Sequence, residues 1–129
     1  MALLYVPHYG KLNFTRHGVL TVANSRARDV APYQGEVLGY GGFLQTVGTV
    51  AGQTAIQIRN ETKTPDLDYF IVLPYFTLTG GGKVEGGTLI ASPTFNAGDV
   101  FWLDVDAIST APADLSFWLT CRFFVSQEV

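Results

Sequence analysis

Asp104 and Asp106 stand two residues apart in the run Val100–Ala107, so an extended backbone puts both carboxylates on one face. Paired carboxylates perform glycoside hydrolysis when one has a raised pKa and the two flank a cleft, and an alternating strand supplies neither condition. Asp99 and Asp114 enlarge the acidic group. Calcium, however, needs about six to eight oxygens converging from one loop, whereas these four are divided between a strand and its flanking turns, so they read as solvated acids. His8, His17, Ser25 and Asp29 include the residue types of a hydrolytic triad, with no spacing that gathers them. Gly39-Tyr40-Gly41-Gly42 and Gly80-Gly81-Gly82 lack the Lys-Ser/Thr ending and the strand-to-helix setting of a phosphate loop. Cys121 is the single cysteine; it has no disulfide partner, makes no zinc spacing with the two distant histidines, and reads as a small buried hydrophobe. No catalytic, cofactor-binding or metal-binding residue is assigned, and a non-enzymatic protein is expected.

The aromatic residues are more informative. Trp102 and Trp118 fall on the polar phase of their strands, beside Asp104, Asp106, Arg122 and Phe124, where an isolated domain usually places charge or hydroxyl groups. Large rigid aromatics next to arginine suit a protein–protein interface. Two other readings stay open: the indoles could stack on a sugar while an aspartate accepts its hydroxyl protons, or they could be covered by the chain's own arm or carried into the core by a β-bulge. Upstream, Lys11, Arg16, Arg26 and Arg28 form a basic group that fits an acidic surface on a partner or a solvated loop. The candidate interface residues are therefore Arg16, Arg26, Arg28, Trp102, Trp118, Arg122 and Phe124.

The elements that must position these residues are strands. From residue 35 onward, short apolar or alternating runs are separated by Gly, Pro, Asn and Asp, and no long stretch has a helical period. Strands are predicted at 36–45, 55–59, 69–78, 83–91, 100–107 and 115–125, with a further short one at 19–22. The last two show the clearest alternation: Phe101, Leu103 and Val105 form one face, and Leu115, Phe117, Leu119, Cys121, Phe123 and Val125 another. Polar loops are predicted at 60–66 and at the Gly80–Gly82 triplet, and a turn at 96–99. An immunoglobulin-like topology and a jelly roll both satisfy this pattern. The expected fold is all-β: an antiparallel β-sandwich, jelly-roll-like, with about seven or eight strands and an N-terminal arm.

Composition bounds the rest. With 129 residues the chain has the length of one domain and enough apolar surface for a core without disulfides. The net charge of −3 argues against a nonspecific nucleic-acid binder. No run approaches the ~20 apolar residues of a membrane helix, and the opening residues lack the basic head and apolar run of a leader, so no membrane partner and no targeting segment are expected. Charge is uneven: residues 1–30 carry +3 and residues 31–129 carry −6. The expected organisation is an arm with a short strand over 1–30 and a sandwich domain over 31–129, the basic arm docking on an acidic neighbour.

Residues 35–124 carry a family-like pattern. Its parts are Thr94-Phe95-Asn96-Ala97-Gly98-Asp99-Val100, then Leu103-Asp104-Val105-Asp106, then Ala113-Asp114-Leu115, preceded by Gly48-Thr49-Val50-Ala51-Gly52 and Ile56-Gln57-Ile58-Arg59-Asn60. This pattern resembles small β-sandwich domains of tailed-bacteriophage structural proteins, and departs from them in the link 108–113. The resemblance implies a virion protein of the capsid decoration or cement type on the outer capsid surface. It further implies as partners the major capsid protein and other copies of the same chain, typically as a homotrimer. Its alternative is a receptor- or glycan-binding module of a tail or head fibre meeting a host glycan through the 60–66 and 80–83 loops. The resemblance carries no catalytic residues and no cofactor.

Overall fold

The computed structural model describes residues 3–48 and 52–128. Thr49, Val50 and Ala51 lie outside the described residues, so the 48–52 pattern is placed only at its two glycines.

Ten strands are present among the described residues: β1 (Leu3–Val19), β2 (Ala23–Val30), β3 (Gly35–Thr46), β4 (Gln53–Asn60), β5 (Leu67–Asp68), β6 (Phe70–Thr77), β7 (Glu85–Leu89), β8 (Thr94–Phe95), β9 (Val100–Ala107) and β10 (Ala113–Glu128). They form two antiparallel sheets. The first has the order β1-β10-β3-β8 and the second the order β2-β9-β4-β6-β7, with the short β5 also pairing β4. The alternation seen in the sequence sets the inner faces. Leu12, Phe14, Leu44 and Phe117 from the first sheet join Ile58, Phe76, Phe101 and Leu103 from the second in one buried cluster. Each such side chain contributes roughly 1.5–3 kcal/mol by leaving water. Cys121 is in this core as expected, 1% exposed, and burial pushes its thiol up to about 12.

Where an arm with one short strand is expected, residues 3–30 form two strands, each paired into a sheet, and the predicted strand at 19–22 covers only the end of β1 and the link to β2. β1 runs antiparallel to β10 from Leu3↔Glu128 to Val19↔Ala113, while β2 pairs β9. The reason is visible in β1 itself, where Leu12 and Phe14 are buried while Lys11, Asn13 and Thr15 are exposed. Its upstream half masks this alternation. β10 pairs β3 only as far as Phe123↔Gly35 but continues alongside β1 to Glu128, so the outermost residues form a two-stranded ribbon. There Leu4 and Tyr5 stay exposed, as does Tyr9 just beyond it.

The C-terminal strands follow the prediction closely: β9 coincides with 100–107, and β10 extends 115–125 at both ends. The turn between β8 and β9 uses Gly98 at φ 84°, a left-handed conformation open to glycine at little steric cost. Adjacent in sequence, β9 and β10 belong to different sheets.

Candidate functional site

Because β9 and β10 lie in different sheets, Trp102 and Trp118 do not share a surface. The indoles, with the residues beside them in sequence, Asp104 and Asp106 or Arg122 and Phe124, are thus divided between two sheets. Each tryptophan is half-buried on the outer face of its own sheet.

On the first sheet, Trp118 stands opposite Asn13 on β1 and Gly41 on β3. Its ring lies against the glycine: a Cβ at Gly41 would come 2.4 Å from indole carbons. Glycine is therefore required here for a close approach rather than for a turn. The Lys11 ammonium sits 4.8 Å from the ring centroid, a cation–π distance. Four residues along β10, Arg122 makes an ion pair with Glu36 of β3, and its guanidinium stands 5.5 Å from the Phe124 ring. Trp118, Arg122 and Phe124 thus belong to one face. Arg16 is exposed near the far end of β1, opposite Leu115 and next to a register shift, so it is separated from the other candidates.

On the second sheet, the register aligns four side chains in a row across four strands. Arg28 of β2 pairs Trp102 of β9, Trp102 pairs Arg59 of β4, and Arg59 pairs Asp68 of β5. Directly opposed residues project to the same face, so the row reads cation, aromatic, cation, anion. The Arg28 guanidinium lies 5.7 Å from the Trp102 ring. Arg59 is the organiser. Its Nε donates to Asp104 Oδ2 at 3.0 Å, its Nη1 to Asp66 Oδ2 at 2.9 Å and its Nη2 to Ser25 Oγ at 2.9 Å. Asp104 also accepts the Ser25 N–H at 2.7 Å, which holds Ser25 at φ 59°, a left-handed backbone rarely adopted outside glycine. Sequence reading had not singled out Arg59. Asp66 is seven residues away, but Ser25 and Asp104 are 34 and 45 residues away, and no local spacing announces them.

Two of the four acids are not solvated, which corrects that expectation for Asp99 and Asp104: they are 3% and 4% exposed. A buried carboxylate persists only with compensating donors. Asp104 has Arg59 and the Ser25 amide; Asp99 accepts from Asn60 Nδ2 at 2.8 Å and from the Asn96 N–H at 2.9 Å. Tyr69 completes the second group, its hydroxyl donating to the Thr94 carbonyl at 2.5 Å, and burial pushes its pKa up to about 12. Asp114 accepts the Gly18 N–H at 2.8 Å. Asp106 is exposed. Burial, followed by the charges of Asp104 and Asp68, raises its pKa, and Asp68 is raised by burial and then by the charge of Asp104.

This arrangement does little acid–base chemistry. Asp104 is committed to Arg59 and cannot serve as a free partner for Asp106. Ser25 Oγ is bonded by Arg59 rather than by a histidine, and Asp29 accepts the Asn13 and Val30 amides. A recess of about 300 Å³ lined by Gly52, Gln53, Thr77, Leu78 and Thr79 contains no titratable side chain. Among the described residues no group of three or more His, Cys, Asp or Glu is arranged to hold a metal. What the two outer faces do present is cations laid over aromatic rings. In comparisons with known proteins, no family model and no curated protein matches this chain.

Proposed function

We propose that this chain is a non-enzymatic structural protein of a tailed-bacteriophage virion, a decoration or cement protein bound to the outer surface of the assembled capsid. The observation that carries the reading is the contrast between the faces and the recess: outward aromatics and arginines lie on the outer faces of two sheets, while the recess lined by Gly52, Gln53, Thr77, Leu78 and Thr79 gathers no reactive group. Sheet faces with half-buried Trp and Arg suit protein contact. The strand orders support a jelly-roll form of sandwich. Strands β1, β10, β3 and β8 alternate along the chain with β2, β9 and β4, so most connections cross from one sheet to the other.

The function follows from mass action. A protein that binds only the assembled lattice lowers the free energy of that state and not of its dissociated subunits. The partners under this reading are the major capsid protein and further copies of this chain. Capsids with and without added protein should differ in thermal rupture, with bound copies co-sedimenting with the particle and visible on its surface by electron microscopy. Particles that neither bind the protein nor gain stability sink the proposal. The alternative of a glycan-binding fibre module has weaker support, because Lys11 and Arg28 already lie over the two indoles on which a sugar would stack. A glycan that quenches tryptophan fluorescence, with loss of the response in Trp102→Ala or Trp118→Ala, would restore it.

A further inference from the structure

Beyond the capsid reading, and independent of it, the outer face of the second sheet has a charge pattern that complements itself. Across four strands, over about 14 Å at the usual strand spacing, the row runs Arg28, Trp102, Arg59, Asp68. The charge of Arg59 is already held by Asp66 and Asp104. Arg28 and Asp68 are both exposed, and neither makes an ion pair among the described residues. Arg26, beside Arg28 on β2, is likewise without an acid, as is Asp106 on β9. The face is thus basic along its β2 edge and acidic toward β5 and the end of β9. Two donors there, Trp102 Nε1 and Arg26 Nε, find no acceptor among the described residues, which is uncommon for buried polar atoms.

We infer that this face is the contact surface for a second copy of the same chain, docked face to face about a two-fold axis that runs parallel to the strands between β9 and β4. Such an axis exchanges the two ends of the row. It sets Arg28 against the second copy's Asp68, and Asp68 against the second copy's Arg28, two equivalent ion pairs from one operation. Trp102 then lies near the axis, opposite the second copy's neutralised Arg59, in the central position that desolvated aromatics occupy in interfaces. The opposite register, with β2 over β2, would bring arginines onto arginines and is disfavoured by like-charge repulsion. The first sheet offers no comparable pattern, since its Arg122 is already paired with Glu36.

Sedimentation equilibrium of the full chain over a range of concentrations tests this. The expected result is a monomer–dimer equilibrium that weakens as sodium chloride rises, because the pairs at the rim are screened. Arg28→Asp and Asp68→Arg should each raise the dissociation constant at least about tenfold. The double variant Arg28→Asp/Asp68→Arg should recover most of the loss, and the milder Asp68→Asn should fall between wild type and Asp68→Arg. Far-UV circular dichroism checks that each variant keeps its sheet content. A monomer at all concentrations, a trimer indifferent to the reversals, or a double variant no tighter than the singles overturns the inference. Capsid co-sedimentation of the same variants keeps this test distinct from that of the decoration reading: a dimer that ignores capsids retains this face and rejects only that role.

Discussion

Both outer faces place a cation over a half-buried tryptophan, yet they manage their remaining charges in different ways. On the first sheet the arrangement is closed: Trp118 rests on Gly41 beside Lys11, and Arg122 is satisfied by Glu36. On the second sheet the centre is closed and the margins are open. Arg59 ties Asp104, Asp66 and Ser25 together, while Arg26, Arg28, Asp68 and Asp106 have no ion-pair partner among the described residues. The difference teaches that an outward tryptophan with a nearby cation is not in itself a binding signal. On one face it is a cover over a glycine gap; on the other it sits in the middle of a polarised surface.

The largest test of this contrast is Arg59→Ala. Asp104 is 4% exposed, and removing its cation leaves a buried carboxylate without charge compensation, a change that costs about 3–5 kcal/mol when a buried pair is broken. The partial exposure of Arg59 favours the lower end. Urea denaturation should show the loss, and a change below about 1 kcal/mol would mean that the network is a surface ornament of no greater weight than the Glu36–Arg122 pair.

A smaller effect is expected from Gly41→Val. The new side chain collides with the indole, at a cost of about 1–3 kcal/mol typical of overpacking, and turns Trp118 into solvent. Tryptophan emission should shift to the red in Gly41→Val and not in Gly41→Val/Trp118→Phe, which retains Trp102 alone. An unshifted spectrum would show that the ring does not depend on the glycine gap.

The smallest effect concerns Asp106. Its folded-state pKa is raised, by burial first and by Asp104 and Asp68 next, so the folded protein binds its proton more readily than the unfolded chain. The contribution of this group to stability is therefore favourable while the carboxyl is protonated in the folded state, and it is lost as pH rises from the unfolded value through the raised folded one. Asp106→Asn should stabilise the protein at neutral pH by less than about 1 kcal/mol once solvent screening is allowed for. It should also remove part of the decline in stability with rising pH across that window. Denaturation midpoints measured from acid to neutral pH check both; equal midpoints for the two proteins throughout would remove the repulsion argument.

How much of this was legible depends on the range of the interaction. In β9 and β10 each inward residue faces one packed sheet, so alternation is strong and the core side of Phe101, Leu103, Phe117 and Cys121 could be read directly. β1 was hidden because it is an edge strand whose upstream residues Leu4, Tyr5 and Tyr9 are exposed, so the apolar residues there lose their period. The burial of Asp99 and Asp104 was hidden for another reason: aspartate in a strand or turn looks solvated until its partner is known, and Asn60 and Arg59 approach only through the pairing of β4 with β9. The candidate interface residues divide likewise. That Trp102 and Trp118 point outward was a local property; that Trp102 joins Arg28 and Arg59 while Trp118 joins Lys11 and Gly41 was not.

By itself the sequence determined that the chain is all-β, where most of its later strands and turns lie, and which side chains of β9 and β10 face the core. Those follow from the two-residue repeat of an extended backbone and from turn chemistry, both of which act within a few residues. Only the tertiary structure decided that residues 3–30 enter both sheets, that the tryptophans look away from one another, and that one face is polarised from Arg28 to Asp68. These depend on which strands pair. Strand pairing is set by hydrogen bonds and packing between distant segments, and the alternation of any single strand is the same whichever neighbour it meets.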